Sequence, residues 1–164
     1  MNLQRGLRLA QAAEMAVAVA ALLAAAAALV ADLLGREVFG QGIFGAQRAA
    51  VHFVFLAGML GFVLAVGNGA HLRVKATDVL LPARWTPWIE RAGCVVSALL
   101  LFGLAGYAAR FTLQTHSVGE RSVTLGLPIW PLQAVMVYAF ASAGLRYLAY
   151  AWSPAARPRE AEAA

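Results

Sequence analysis

Four long apolar blocks, separated by short polar stretches, dominate the hydrophobic pattern of this chain. No Asp, Glu, Lys or Arg occurs inside them, and they lie between Glu14 and Asp32, Arg48 and His71, Arg91 and Arg110, and Arg121 and Arg146. A helix needs about 20 residues to cross roughly 30 Å of hydrocarbon, so each block is long enough to span a membrane. The pattern predicts an all-α membrane protein with four transmembrane helices, at about 10–34, 47–68, 91–114 and 128–149.

The four blocks and the stretches between them are predicted to form a single transmembrane domain, residues 1–152. A disordered cytoplasmic tail is predicted to follow at 153–164. Between the second and third blocks, residues 72–91 mix apolar residues and tryptophans with basic ones. Tryptophan favours the membrane–water boundary, so we expect a short interfacial amphipathic helix here, broken at Pro82.

Composition agrees with a membrane location. Of the 164 residues 62% are hydrophobic and only 13% are charged, which is too little charge for the surface of a short soluble domain. The net charge is +5, and the basic residues are scattered over the block ends. This distribution is typical of residues that set membrane orientation, and it indicates no nucleic-acid partner. The single cysteine, Cys94, excludes an intrachain disulfide.

The basic residues predict the orientation of the four helices. If all blocks span, nine Lys and Arg residues lie on the side of the two termini and four lie on the other side. The excess marks the cytoplasmic side, so both termini are expected there. A signal peptide is the alternative for the first block, because Arg5 and Arg8 precede its apolar run. The run 15–31 is longer than a typical signal core, which favours a true span.

Small residues and prolines suggest how the helices pack and where the fourth begins. Residues that could form packing seams in lipid occur in the first two helices: Ala20, Ala24 and Ala28; Gly58, Gly61 and Ala65. The third helix has Gly103 and Gly106 in its second half. The fourth helix is expected to start at Pro128 or Pro131, where a missing N–H costs nothing. It should end near Arg146, whose long side chain can snorkel to the interface.

The apolar blocks contain few groups that could perform chemistry. His52 is the one histidine within a block, so a bis-histidine haem site lacks ligands, and a lone cysteine excludes thiol–disulfide chemistry. A proton-coupled carrier would need a membrane-embedded carboxylate. We expect His52 to be a solvated or packed residue and Asn68 to cap a helix or bond a neighbour. The sequence predicts no enzyme, no metal site and no cofactor.

Two loop segments carry a resemblance to a known family. Residues 69–74, Gly-Ala-His-Leu-Arg-Val, follow the second block, and residues 124–130, Thr-Leu-Gly-Leu-Pro-Ile-Trp, open the fourth. With Arg36 and Phe39 after the first block, their order resembles the small, DctQ-like membrane subunit of tripartite ATP-independent periplasmic (TRAP) transporters. The resemblance covers about residues 15–150.

The resemblance implies a small permease subunit in the bacterial inner membrane. It would scaffold a large membrane subunit that carries the substrate and sodium sites. A periplasmic substrate-binding protein would deliver an organic acid for sodium-coupled symport. One stretch departs from the family pattern: family members usually have a tryptophan and two acids before the second helix, where this chain has Phe44-Gly45-Ala46-Gln47-Arg48. This chain therefore lacks the acidic pair at the corresponding position.

Six residues are candidates for functional roles under this resemblance. Arg36 and Arg48 could contact the binding protein or large subunit, or could anchor helix ends. His71 and Arg73 could pair with the large subunit or lipid phosphate, or simply lie at the interface. Pro128 and Trp130 are expected to set the entry and depth of the fourth helix.

Two other functions remain to be weighed against the transporter subunit. One is a non-transport tetraspan assembly or scaffold protein of the inner membrane. The other is a small autonomous exporter, which would require an acid within a span.

Overall fold

The computed structural model describes residues 2–68, 86–122 and 126–152, and within them it contains four long helices. These are α1 (Asn2–Phe39), α2 (Ala46–Gly67), α3 (Thr86–Val118) and α4 (Trp130–Trp152). Each contains a segment long and apolar enough to cross a membrane, which confirms the all-α class and the four predicted spans. The predicted tail at 153–164 and most of the predicted interfacial segment lie outside the described residues; 86–91 begin α3.

Side-chain contacts define how the helices run relative to each other. Gln11 contacts Asn68, so α1 and α2 are antiparallel. Phe102 packs on Gly144, close to the middle of both α3 and α4. Phe62 lies beside Phe140 and Val66 beside Tyr150, so α2 and α4 run in the same direction.

The helices form an open series of contacts. Among the described residues, α1 packs mainly on α2, α2 packs also on α4, and α4 packs on α3. The described loop residues 40–45, 119–122 and 126–129 therefore lie at one end of the domain, which we call the loop end. The beginning of α1, Asn68 and the end of α4 lie at the opposite end, which we call the terminal end.

The two outer helices, α1 and α3, each bury a single narrow stripe. On α1 the buried and half-buried positions include Glu14, Ala18, Ala21, Ala25, Ala28, Asp32 and Gly35. On α3 they include Cys94, Ala98, Leu101, Ala105, Ala108, Thr112 and Thr115. Both stripes alternate steps of three and four residues, the 3.5-residue spacing of left-handed helix packing.

The observed packing positions differ from the predicted seams of small residues. Ala20 is exposed, so the four-residue series through Ala28 is not the packed face of α1. A Cβ added at Gly58 or Gly61 would meet no atom within 4 Å, and the same holds for Gly103 and Gly106 on α3. These helical glycines face open space in the single chain. The contacts between helices are formed by alanines and valines instead.

The best-packed region lies where α2, α3 and α4 meet. Val66, Leu101 and Ala143 form its buried centre, and the rings of Phe62 and Phe140 stack edge to face with centroids 6.2 Å apart. Gly144 allows close packing here, since the Phe102 ring lies 3.3 Å from where its Cβ would be. Packing within the chain is limited overall: only 17–22% of the most apolar 18-residue stretch of each candidate span is buried.

Of the two predicted starts of the fourth helix, the one at Pro131 agrees with the structure: α4 begins at Trp130 with Pro131 in its first turn, and Pro128 lies outside the helix. The helix ends differ from the sequence prediction at two other points. α4 continues past Arg146 to Trp152. α1 has 38 residues, about 57 Å at 1.5 Å per residue, so it is much longer than a bilayer requires.

Candidate functional site

Three acids lie inside the first candidate span, and two of them, Glu14 and Asp32, are buried at positions that the sequence pattern placed at block ends; the third, Glu37, is exposed. Glu14 and Asp32 fall within Leu9–Phe39, and each is only 5% exposed. They are 18 residues apart, about 27 Å along a helix, close to the thickness of the hydrocarbon core. The first span is therefore not free of acids, and each buried acid has specific partners.

Glu14 forms a three-residue cluster that joins α1 to α4, in which Glu14 and Arg146 are buried and Tyr138 is partly exposed. Its Oε2 accepts a hydrogen bond from Arg146 Nη2 at 2.6 Å, and its Oε1 accepts one from Tyr138 Oη at 2.6 Å. Arg146 Nη1 also donates to the Val63 carbonyl of α2 at 3.1 Å. We call Glu14, Tyr138 and Arg146 the polar clasp.

The polar clasp contradicts the prediction that Arg146 snorkels to the interface. Arg146 is 9% exposed, because its guanidinium turns inward to the carboxylate of Glu14 instead of outward to water. Gly67 makes room for this arrangement: a Cβ there would overlap Arg146 Nη1 and lie 3.3 Å from Arg146 Cζ. A charged residue in a membrane span is commonly paired in this way.

Asn68 closes the terminal end of α2, as the sequence predicted. It is the C-cap residue, and its backbone N–H donates to the carbonyls of Leu64 and Val66. Its side-chain oxygen accepts a hydrogen bond from Gln11 Nε2 of α1 at 2.5 Å. The prediction of capping or a neighbouring-helix bond is confirmed on both counts.

Asp32 organises the loop end in the same manner as Glu14 organises the terminal end. Its Oδ2 accepts from Arg36 Nη2 at 2.7 Å and more weakly from Gln47 Nε2 at 3.5 Å. Its Oδ1 accepts from the backbone N–H of Ile43 at 2.8 Å, which fixes the α1–α2 loop. A Cβ at Gly42 would lie 2.6 Å from Asp32 Oδ1, so a side chain at this position would displace the carboxylate.

A cavity of about 540 Å³ opens beside Asp32 at the loop end. Its charged lining residues are Asp32, Arg36 and Arg48, and Gln47, Ile43 and Phe44 contribute polar and apolar surface. We call this the loop-end cavity. The structure thus brings together Arg36 and Arg48, the two loop-end arginines singled out in the sequence.

The remaining sequence candidates have different outcomes. Pro128 pairs with Arg121 in an isolated antiparallel bridge just before α4 begins, and its role in the helix entry stays a prediction. Trp130 begins α4 and packs edge to face on His116, with centroids 5.2 Å apart. His71 and Arg73 lie outside the described residues.

His52 is engaged by its own helix. Its Nδ1 lies 2.6 Å from the Arg48 carbonyl, one turn earlier, and a carbonyl can only accept, so Nδ1 is the donor. This supports a local structural role for His52. Across the residues that the structure describes, no group of three or more His, Cys, Asp or Glu side chains could hold a metal ion.

Sequence reasoning missed the polar clasp and Asp32 because it treated charged residues as markers of where spans stop. The available signal was opposite charge: Glu14 and Arg146 each adjoin an apolar block at the predicted cytoplasmic side. Charges of opposite sign at similar depth in two helices favour pairing. Which helices are neighbours, however, cannot be read from one sequence.

Comparison with known proteins gives two matches. The model of the family described as "Tripartite ATP-independent periplasmic transporters, DctQ component" matches residues 25–157. The "Ectoine TRAP transporter small permease protein TeaB" of Halomonas elongata is 24% identical over 119 residues, covering 73% of this chain and 62% of that protein. The chain thus spans less than two thirds of the length of that curated relative. No solved structure matches the chain.

Proposed function

The chain belongs to the DctQ family of TRAP transporter components, a family of non-enzymatic permease subunits, and from this premise we propose that it scaffolds a large membrane subunit. One observation carries the proposal: within the chain, only 17–22% of the most apolar 18-residue stretch of each helix is buried. Much of this apolar surface is therefore free for lipid or for another membrane protein.

The buried acids support a scaffolding role over a carrier role. Glu14 is bound by Arg146 and Tyr138, and Asp32 is bound by Arg36 and the Ile43 N–H. A carboxylate that carries protons or ions must exchange partners during transport. Both of these carboxylates instead tie helices and loops together, which disfavours a small autonomous exporter.

We propose further that the protein resides in the bacterial inner membrane with both termini in the cytoplasm and the loop end in the periplasm. The uneven distribution of Lys and Arg supports this orientation. A periplasmic binding protein would then meet Arg36 and Arg48 at the loop end, while His71 and Arg73 would face the large subunit or lipid headgroups on the cytoplasmic side.

The proposed transport reaction is sodium-coupled uptake of a small organic acid. Substrate and sodium would be bound by the large subunit, since the described residues of this chain contain no uncommitted carboxylate cluster. The related TeaB protein is named for ectoine, and the selectivity of the present transporter is assigned to its partner proteins.

Co-purification tests the proposal. A tagged copy of this chain, extracted from its native membrane in mild detergent, should bring with it one large multi-span protein in a fixed ratio. Liposomes containing both subunits and the binding protein should take up solute, whereas liposomes with either membrane subunit alone should not. Transport by this chain alone would contradict the proposal. A stable complex without any transport activity would support the tetraspan assembly protein instead.

A further inference from the structure

We propose that the loop-end cavity receives an acidic side chain of the substrate-binding protein, with Arg48 as its principal cation and Arg36 as the second. This inference rests on the proposed function, which places the loop end in the periplasm. It adds the chemistry of the contact: a carboxylate on the partner and a guanidinium pair on this chain.

The charged side chains that line the cavity favour binding of an anion. Asp32 is the one acid among the lining residues, and its two oxygens are occupied by Arg36, Gln47 and the Ile43 N–H. The Arg48 side chain is exposed, and within the described ranges its guanidinium has no carboxylate partner. The cavity therefore carries one uncompensated positive charge.

Asp32 also holds the second guanidinium in place. It binds Nη2 of Arg36, and a guanidinium has five N–H donors, so donors of Arg36 remain for a ligand. The lack of a side chain at Gly42 lets the loop close over this pair, since a Cβ would lie 2.8 Å from Arg36 Nε. The site is thus preorganised on one side by a buried carboxylate, which lowers the entropy lost on binding.

The surroundings of the cavity favour a carboxylate carried by a protein over a free ion. Phe44 lines the cavity and is 86% exposed, and Phe39 at the end of α1 is 80% exposed. Exposed aromatic rings beside arginine are typical of the centres of protein–protein interfaces. A free small anion would gain nothing from these rings, whereas a docked protein surface would bury them.

Affinity measurements on the assembled transporter test this inference. The two membrane subunits are placed in nanodiscs, and binding of the purified substrate-binding protein is measured at about 50 mM and 300 mM NaCl, conditions that differ in charge screening. Arg48→Glu should weaken binding at least about tenfold at low salt, and Arg48→Gln by less. The loss should shrink at high salt.

Two controls accompany the affinity measurement: a matched charge substitution elsewhere at the loop end, and a check that each variant still binds the large subunit. Arg121→Glu makes the same charge change at the loop end, outside the residues that line the cavity, and should change the affinity less than about threefold. Equal effects of Arg48→Glu and Arg121→Glu would overturn the inference. Each variant must still co-purify with the large subunit; if the wild-type chain does not, the proposed function has failed, not the cavity assignment.

A final measurement distinguishes the source of the carboxylate. Acetate and the transported acid are titrated calorimetrically into the nanodisc complex without the binding protein. No heat that depends on Arg48 is expected, because the cavity takes its carboxylate from a protein. A saturable heat that Arg48→Gln abolishes would identify a small-molecule site and contradict docking.

Discussion

Glu14 Oε2 and Arg146 Nη2 lie 2.6 Å apart and join the first helix to the last across 132 positions of the chain. Both side chains are buried, at 5% and 10% side-chain exposure. Because α1 otherwise packs mainly on α2, this ion pair and the Tyr138–Glu14 hydrogen bond are direct polar links between α1 and α4. An unpaired charge at this depth would be costly, so the two residues depend on each other.

Removing one partner of the polar clasp should destabilise the domain more than removing both. Arg146→Met leaves the Glu14 carboxylate buried without its cation, and a loss of about 3–5 kcal/mol is expected. The double variant Glu14→Met, Arg146→Met should recover most of that loss, because no buried charge remains. The free energy of unfolding by SDS titration in mixed micelles measures both.

Two further variants serve as comparisons for the loss of stability in Arg146→Met. Tyr138→Phe removes one hydrogen bond but leaves the ion pair, so it should cost only about 1 kcal/mol. Arg110→Met, at an exposed position of α3, should have little effect. Additive losses in the double variant would show that Glu14 and Arg146 are not energetically coupled.

Gly67 should not tolerate even one methyl group. In Gly67→Ala the new Cβ would overlap Arg146 Nη1, so the guanidinium must move away from Glu14 or α2 must shift. A destabilisation of about 1–3 kcal/mol is expected. Gly61→Ala is the matched control on the same helix, since its Cβ meets nothing within 4 Å. Equal thermal midpoints for the two variants would contradict the observed packing.

Asp32→Ala should loosen the loop end selectively. The substitution leaves the Ile43 N–H and the Arg36 guanidinium without their acceptor, with an expected cost of about 1–3 kcal/mol. Hydrogen exchange should increase at residues 40–47 and stay unchanged near Asn68. Glu37→Ala changes an exposed acid one turn away and should leave exchange at both places unaltered.

His52 should not contribute a proton to transport. Because its Nδ1 donates to the Arg48 carbonyl within the same helix, His52 has a local structural role, and His52→Gln should leave the rate and the pH profile of solute uptake unchanged. A shift of the pH profile in reconstituted transporter would assign His52 a role in coupling.

The orientation can be measured with single cysteines. In a Cys94→Ser background, a cysteine at 121 should react with a membrane-impermeant maleimide in intact spheroplasts, because the loop end is expected to be periplasmic. A cysteine at 11, at the terminal end, should react only after the membrane is permeabilised. The reverse labelling pattern would invert the proposed topology.

The sequence predicted the elements well because hydrocarbon thickness is a strong constraint on helix length. Four apolar blocks gave four helices, and Asn68 at a block end became a C-cap. The seam predictions failed for a physical reason: alanine and glycine are common throughout these spans. Composition alone could not show that Ala21 and Ala25 are packed while Ala20 faces outward.

The sequence by itself determined that this is a four-span membrane protein resembling a transporter subunit. Only the tertiary structure decided what its charges do. Glu14 and Arg146 are far apart in sequence, and they pair because α2 lies between α1 and α4 at a distance that an arginine side chain can span. Arg36 and Arg48 meet in one cavity because Asp32 binds the loop between them. Such pairings depend on which helices are neighbours, and the apolar pattern of a membrane span carries no information about its neighbour.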